Sequence, residues 1–123
     1  MDIELLREFC IKKPAVTEEF PFDQDTLVFK VLGKMFALTS LKKWEEGIPS
    51  VNLKCDPEKA EELRGEYDSI KPGYHMSKKH WNTIELYHGE LPNNFIKELV
   101  DESYNLVVKG MTKKQQAELA KYQ

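Results

Sequence analysis

The sequence predicts an α+β fold, an antiparallel β-sheet with helices packed on one face. Three observations predict it. Two runs rich in β-branched and aromatic residues flank a Gly-Lys step, which makes them an antiparallel hairpin. A third run alternates apolar and polar residues, as a half-buried strand does. Helical periodicity brackets the strands instead of following each one, which argues against a βαβ parallel sheet. The 123 residues fit a single domain over 1–123, long enough to bury a core without disulfides.

Taken in order, residues 2–12 form a short amphipathic helix. Asp2 caps it, and Leu5, Leu6 and Phe9 recur at helical spacing. Pro14 stops it and turns Lys13 towards an extended conformation. Residues 15–22 start the sheet, with Pro21 limiting them to an edge or an end. Leu27 to Leu32 and Met35 to Leu38 are strands joined through Gly33-Lys34, a type II′ turn with Gly first. Ser50 to Cys55 places Val51, Leu53 and Cys55 on one face and Asn52 and Lys54 on the other. Asp56-Pro57-Glu58 opens a helix reaching about Tyr67: a cap, a proline at the first helical position, an acid at the positive end of the dipole. Pro72-Gly73 marks a turn. Trp81 to Tyr87 is a strand closed by His88-Gly89. Pro92 opens the longest helix, 92–108, with an apolar stripe through Phe95, Ile96, Leu99, Val100, Ser103, Leu106 and Val107. Gly110 is its C′ stop. Thr112 and Gln115 fit a capping box for a weak terminal helix within 110–123.

The formal net charge is −3, with 18 basic and 21 acidic residues. A balance this near neutral excludes a polybasic binder that works by bulk charge. The charge is segregated, however. Residues 1–25 carry −4, 26–56 carry +2, 57–70 carry −3, 71–88 carry +2, and 89–123 balance. The two cysteines, Cys10 and Cys55, fit no zinc spacing and read as buried thiols in a reducing compartment. No apolar run approaches membrane-spanning length. Acidic Asp2 and Glu4 stand where a signal peptide would be basic. The expectation is a cytoplasmic protein with no membrane partner and no cofactor.

The densest chemical constellation is residues 71–82, KPGYHMSKKHWN. Lys71, Lys78 and Lys79 are interleaved with Tyr74, His75, His80, Trp81 and Asn82. Lysines neutralise phosphates, and aromatic rings stack or fill a groove, so the segment reads as a DNA-contacting loop and strand. A β-ribbon of this kind also fits a major groove. The structural alternative makes Trp81 and Tyr74 core residues and Lys78-Lys79 a solvated loop face.

These residues resemble the MmcQ/YjbR family. The resemblance runs over roughly residues 1–110 and rests on three blocks. They are PFDQDTLVFKVLGKMFAL at 21–38, VNLKCDP at 51–57, and PGYHMSKKHWNT at 72–83, followed by a helix containing Ser103-Tyr104. The resemblance implies a CyaY-like, or frataxin-like, two-layer sandwich. It also implies DNA binding through a double-wing arrangement. Carried onto this chain, the implied contacts are Lys71, Tyr74, His75, Lys78, Lys79, His80, Trp81 and Asn82, with Trp81 anchoring the wing from below. One sequence leaves monomer or dimer open.

Three other functions have a motivating feature. The acidic stretch Glu4, Glu8, Glu18, Glu19, Asp23 and Asp25 offers oxygen ligands to a hard cation such as iron. Arg7, Lys12 and Lys13 interrupt it. Trp44, placed in a loop beside Glu45-Glu46-Gly47, would anchor a protein partner if exposed. His75, His80 and His88 with Glu85 are the material for acid–base catalysis, but their spacing matches no catalytic or metal motif. The expectation is therefore a binding protein and not an enzyme.

Overall fold

The computed structural model describes residues 1–122. Asp2 accepts the Leu5 N–H and starts helix α1, Ile3–Ile11. The chain then enters strand β1, Val16–Glu19, and runs through β2, Thr26–Val31, and β3, Lys34–Ser40. A one-turn helix, α2, Leu41–Glu45, precedes β4, Ser50–Lys54. Helix α3, Pro57–Glu66, is capped by Asp56 as its sequence predicts. Strands β5, Ile70–Pro72, and β6, Trp81–Glu85, follow, then a single 3-10 turn, Leu86–His88. Helix α4, Asn93–Lys109, and helix α5, Lys113–Ala120, complete the chain. Both halves of the Thr112–Gln115 capping box are formed. Gln123, the end of the expected terminal helix segment, lies outside the described residues.

The six strands make one antiparallel sheet in the order β1-β2-β3-β4-β6-β5. Its register sorts side chains onto two faces. Leu27, Phe29, Val51, Leu53, Ile70 and Ile84 point to the inner face and are buried. They join Leu6 and Cys10 of α1, Ala60 and Leu63 of α3, Leu99, Val100, Tyr104 and Val107 of α4, and Leu119 of α5 in one core. The outer face carries no helix. Among the described residues its buried apolar cluster is Val28, Leu38 and Trp81, with Met35 and Met76 beside them. The α+β class with helices on one face is therefore what the chain adopts.

Four local expectations are corrected. The β2–β3 loop is Leu32-Gly33, because Val31 pairs with Lys34. Both loop residues have positive φ, 47° and 80°, which makes the turn type I′ and not II′. A bulge is the cause. Phe29 pairs with Ala37 but Lys30 with Met35, so Phe36 is the extra residue of β3 and the register advances by one. Trp44 sits in α2, not in a loop, half-buried with its Nε1–H donating to Thr39 Oγ1 at 2.8 Å. Pro72 ends a short edge strand, β5, where a turn alone is expected. Gly110 ends α4 with φ −79°, right-handed, its N–H donating to the Leu106 carbonyl.

Candidate nucleic-acid interface

The 73–80 segment folds back over the open face of the sheet. Three sets of contacts hold it there. At its start, Gly73 N–H donates to the Trp81 carbonyl at 2.9 Å. An added Cβ at Gly73 would stand 2.8 Å from Trp81 Cβ, so this close approach admits only glycine. One residue on, Tyr74 N–H donates to Thr83 Oγ1 at 2.9 Å, and Thr83 Oγ1 donates to Asn52 Oδ1 at 2.6 Å. At its end, Arg64 reaches over from α3. Its Nε donates to Asn82 Oδ1 at 2.6 Å, and its Nη2 donates to the carbonyls of Lys78 and Trp81.

The eight candidate residues divide cleanly. Lys71, Tyr74, His75, Lys78, Lys79 and His80 are exposed. His75 has φ 58°, a left-handed conformation that turns the loop sharply beside the Tyr74 ring, 4.0 Å away between centroids. Trp81 is buried against Val28 and Leu38. Asn82 is 1% exposed and faces the inner side, where its amide oxygen is taken by Arg64. Its expected role as a DNA contact is therefore corrected: Asn82 is a structural anchor. None of Lys71, Lys78 and Lys79 is in an ion pair among the described residues.

A second loop, residues 20–25, borders the same face. Asp23 Oδ1 accepts the N–H groups of Thr26 at 2.6 Å and Asp25 at 2.9 Å. These bonds hold the Asp23 carboxyl below its usual range. Asp25 accepts from Lys42 N–H at 2.7 Å and from Ser40 Oγ at 2.6 Å, which ties the loop to the start of α2. Between the two loops lies a cleft of about 470 Å³, floored by Leu38 and Asn52 and walled by Phe22 and Tyr74.

The other candidate sites are placed as follows. Glu18 is bound by Arg7 through two 2.6 Å bonds, and Glu19 pairs with Lys30 at 3.4 Å. With Asp23 spent on the Asp25 and Thr26 N–H groups and Asp25 on the Lys42 N–H and the Ser40 hydroxyl, these four carboxylates have four separate tasks. No group of three or more His, Cys, Asp or Glu among the described residues is arranged to hold a metal ion. His88 Nε2 lies 2.9 Å from Glu85 Oε1. His75 lines the cleft, as does Asp23, while His80 does not.

Sequence reasoning missed Arg64, the hook that fixes the loop. Its position in the last turn of α3 carries no local signal, because its partners lie 14 to 18 residues away. It also missed the pairing of the 20–25 loop with the 73–80 loop.

The YjbR family model matches residues 11–106. The uncharacterized protein YbdF of Escherichia coli O157:H7 is 41% identical over 114 residues, 92% of this chain and 89% of that protein. The uncharacterized protein YjbR of Escherichia coli K12 is 37% identical over 108 residues, 88% of each. Among solved structures, a Deinococcus radiodurans protein with the domain DUF419 superposes with a TM-score of 0.85 at 44% identity. It covers 97% of this chain and 88% of that one. A Pseudomonas syringae protein superposes with a TM-score of 0.71 at 28% identity, covering 86% and 98%.

Proposed function

This chain belongs to the YjbR family, and we propose that it is a DNA-binding protein that grips the phosphate backbone through the 71–82 segment. One observation carries the reading. Lys71, Lys78 and Lys79 are exposed and outside any ion pair among the described residues, on a segment fastened at both its start and its end. Fastened cations lose little freedom on binding, and each phosphate neutralised releases counterions. Tyr74 and His75 stand at the tip, where they enter a groove. Trp81 and Asn82 position the segment from beneath. Two loops, 20–25 and 73–80, border the open face, and this supports the double-wing reading. The one-sided helix layer supports the frataxin-like one. A cytoplasmic setting is part of the proposal, supported by two free, buried thiols.

Binding is favoured over acid–base catalysis because the Asp23 carboxylate, which shares the cleft with His75, is already committed to Asp25 and Thr26. The reading is tested by titrating a short duplex at several salt concentrations. The expected slope of log affinity against log salt is about −0.9 per phosphate contact, so the Lys78→Ala, Lys79→Ala double variant should flatten it by about 2. Absence of binding at low salt, or a slope the double variant leaves unchanged, rejects the reading.

A further inference from the structure

The open face holds more than a basic rim. The cleft between the two loops adjoins a second one of about 390 Å³, and the two share Lys43, Ser50, Tyr74 and Thr83. Together they form a trough across the sheet. Phe22 and Asp23 line one of the two clefts, and Tyr87 and Glu85 line the other. Tyr74 lines both. Each cleft falls within the roughly 300–1,000 Å³ of ordinary ligand sites. Three rings are exposed along this trough: Phe22 at 64%, Tyr74 at 66% and Tyr87 at 48%.

We infer that the trough binds single-stranded nucleic acid, with bases stacked on Phe22, Tyr74 and Tyr87 and the backbone following Lys43 and Lys71. This deepens the DNA-binding reading and rests on it. A base in a duplex has both faces covered by its neighbours, so rings set into a trough can stack only on unpaired bases. The Ser50 hydroxyl, which lines both clefts, suits the polar edge of a base, while Thr83 and Asn52 are spent on each other and on Tyr74. The two cations are placed for phosphates: Lys43 lies where the clefts meet and Lys71 on the edge strand. The two carboxylates are committed, Asp23 to backbone N–H groups and Glu85 to His88. The lysine rim at 78–79 serves either form of DNA, and the rings select the single strand.

Fluorescence anisotropy with labelled twelve-nucleotide (dT) and (rU) strands and a duplex of the same length tests this. Both sources of unpaired bases are thereby compared. The expected result is single-strand binding on the order of tenfold tighter than duplex binding. Tyr87→Ala and Phe22→Ala should each weaken the single strand by on the order of tenfold while leaving duplex binding and the salt slope unchanged. Tyr87→Phe, which keeps the stacking face, should bind like the parent, and both exposed positions leave the core intact by circular dichroism. Equal affinity for single strand and duplex, or alanine variants indistinguishable from the parent, overturns the inference while duplex binding through Lys78 and Lys79 stands. Absence of binding to every probe rejects both.

Discussion

The Ser103 hydroxyl donates a 2.6 Å hydrogen bond to the carbonyl of Phe36, the bulged residue of β3. The same oxygen accepts the Lys54 N–H at 2.8 Å. The β3–β4 ladder is registered only at Ala37–Leu53 and Leu38–Asn52. Beyond it one strand leaves a carbonyl and the other an N–H without a cross-strand partner. A single side chain from α4, fully buried, satisfies both and so joins the helix to the sheet at the place where the strands separate. Ser103→Ala should therefore lower unfolding free energy by about 2–3 kcal/mol, from two unsatisfied backbone groups. The check is a urea denaturation midpoint at unchanged m-value.

Arg64 should matter to DNA and little to folding of the core. Arg64→Met keeps the aliphatic stem and removes the bonds to Asn82, Lys78 and Trp81. Amide hydrogen exchange should rise at residues 77–81, and duplex affinity should fall towards that of the Lys78→Ala, Lys79→Ala variant. Unchanged exchange in that stretch would show that the loop holds itself.

Gly73→Ala forces the loop off the sheet. The new methyl would meet Trp81 Cβ at 2.8 Å and the Trp81 carbonyl at 2.9 Å, one side chain and one piece of backbone. Overpacking of this kind costs about 1–3 kcal/mol. The thermal midpoint should drop, and Trp81 fluorescence should move to longer wavelength as its cover is lost.

Acid should unfold the protein through identifiable carboxylates. Glu18 is held low by Arg7, Asp23 by the Thr26 and Asp25 N–H groups, and Glu90 by the Ser69 hydroxyl and N–H. A carboxyl whose folded value lies below its unfolded one stabilises at pH above the unfolded value, and that stability disappears as pH falls through the folded one. The unfolded values lie near the reference 4.5 for Glu and 3.8 for Asp, so stability should decline below about pH 4.5. Glu90→Gln should make that decline shallower, as read by circular dichroism against pH.

Both thiols should be inert in the folded protein. Burial pushes the Cys10 thiol up to about 12 and raises Cys55 as well, and thiolate is the reactive form. A thiol reagent at pH 8 should label neither until denaturant is added. The raised values also mean stability that is complete below about pH 9, the ordinary thiol value, and is lost as pH rises towards the folded one.

Much of the fold is legible in the sequence because its determinants are local. Asp56-Pro57 and the Thr112–Gln115 box fix helix starts through groups three residues apart, and the apolar stripe of α4 follows from periodicity alone. What could not be read is non-local or very short. The Leu32-Gly33 turn depends on a bulge four residues further on. The five residues of α2 are too few to show a period. The site is harder still. The 71–82 segment stands out by composition, but which of its residues face outward is set by pairing with β4 and β5, and this buries Asn82 while exposing Tyr74. Arg64 and the partnership of Phe22 with Tyr74 exist only once distant segments meet.

The bulge at Phe36 works as a phase shifter. It lets Phe36 and Ala37, adjacent in sequence, both lie fully buried, and it resets the alternation so that Met35 returns to the outer face beside the small cluster under the 73–80 loop. Deleting Phe36 would remove the bulge and leave Met35 opposite Lys30 and Lys34 opposite Val31, each on the face it already occupies, while taking one fully buried ring out of the core. A single codon thus adds a ring to the inside of the sheet without changing the side that any other residue of β3 faces.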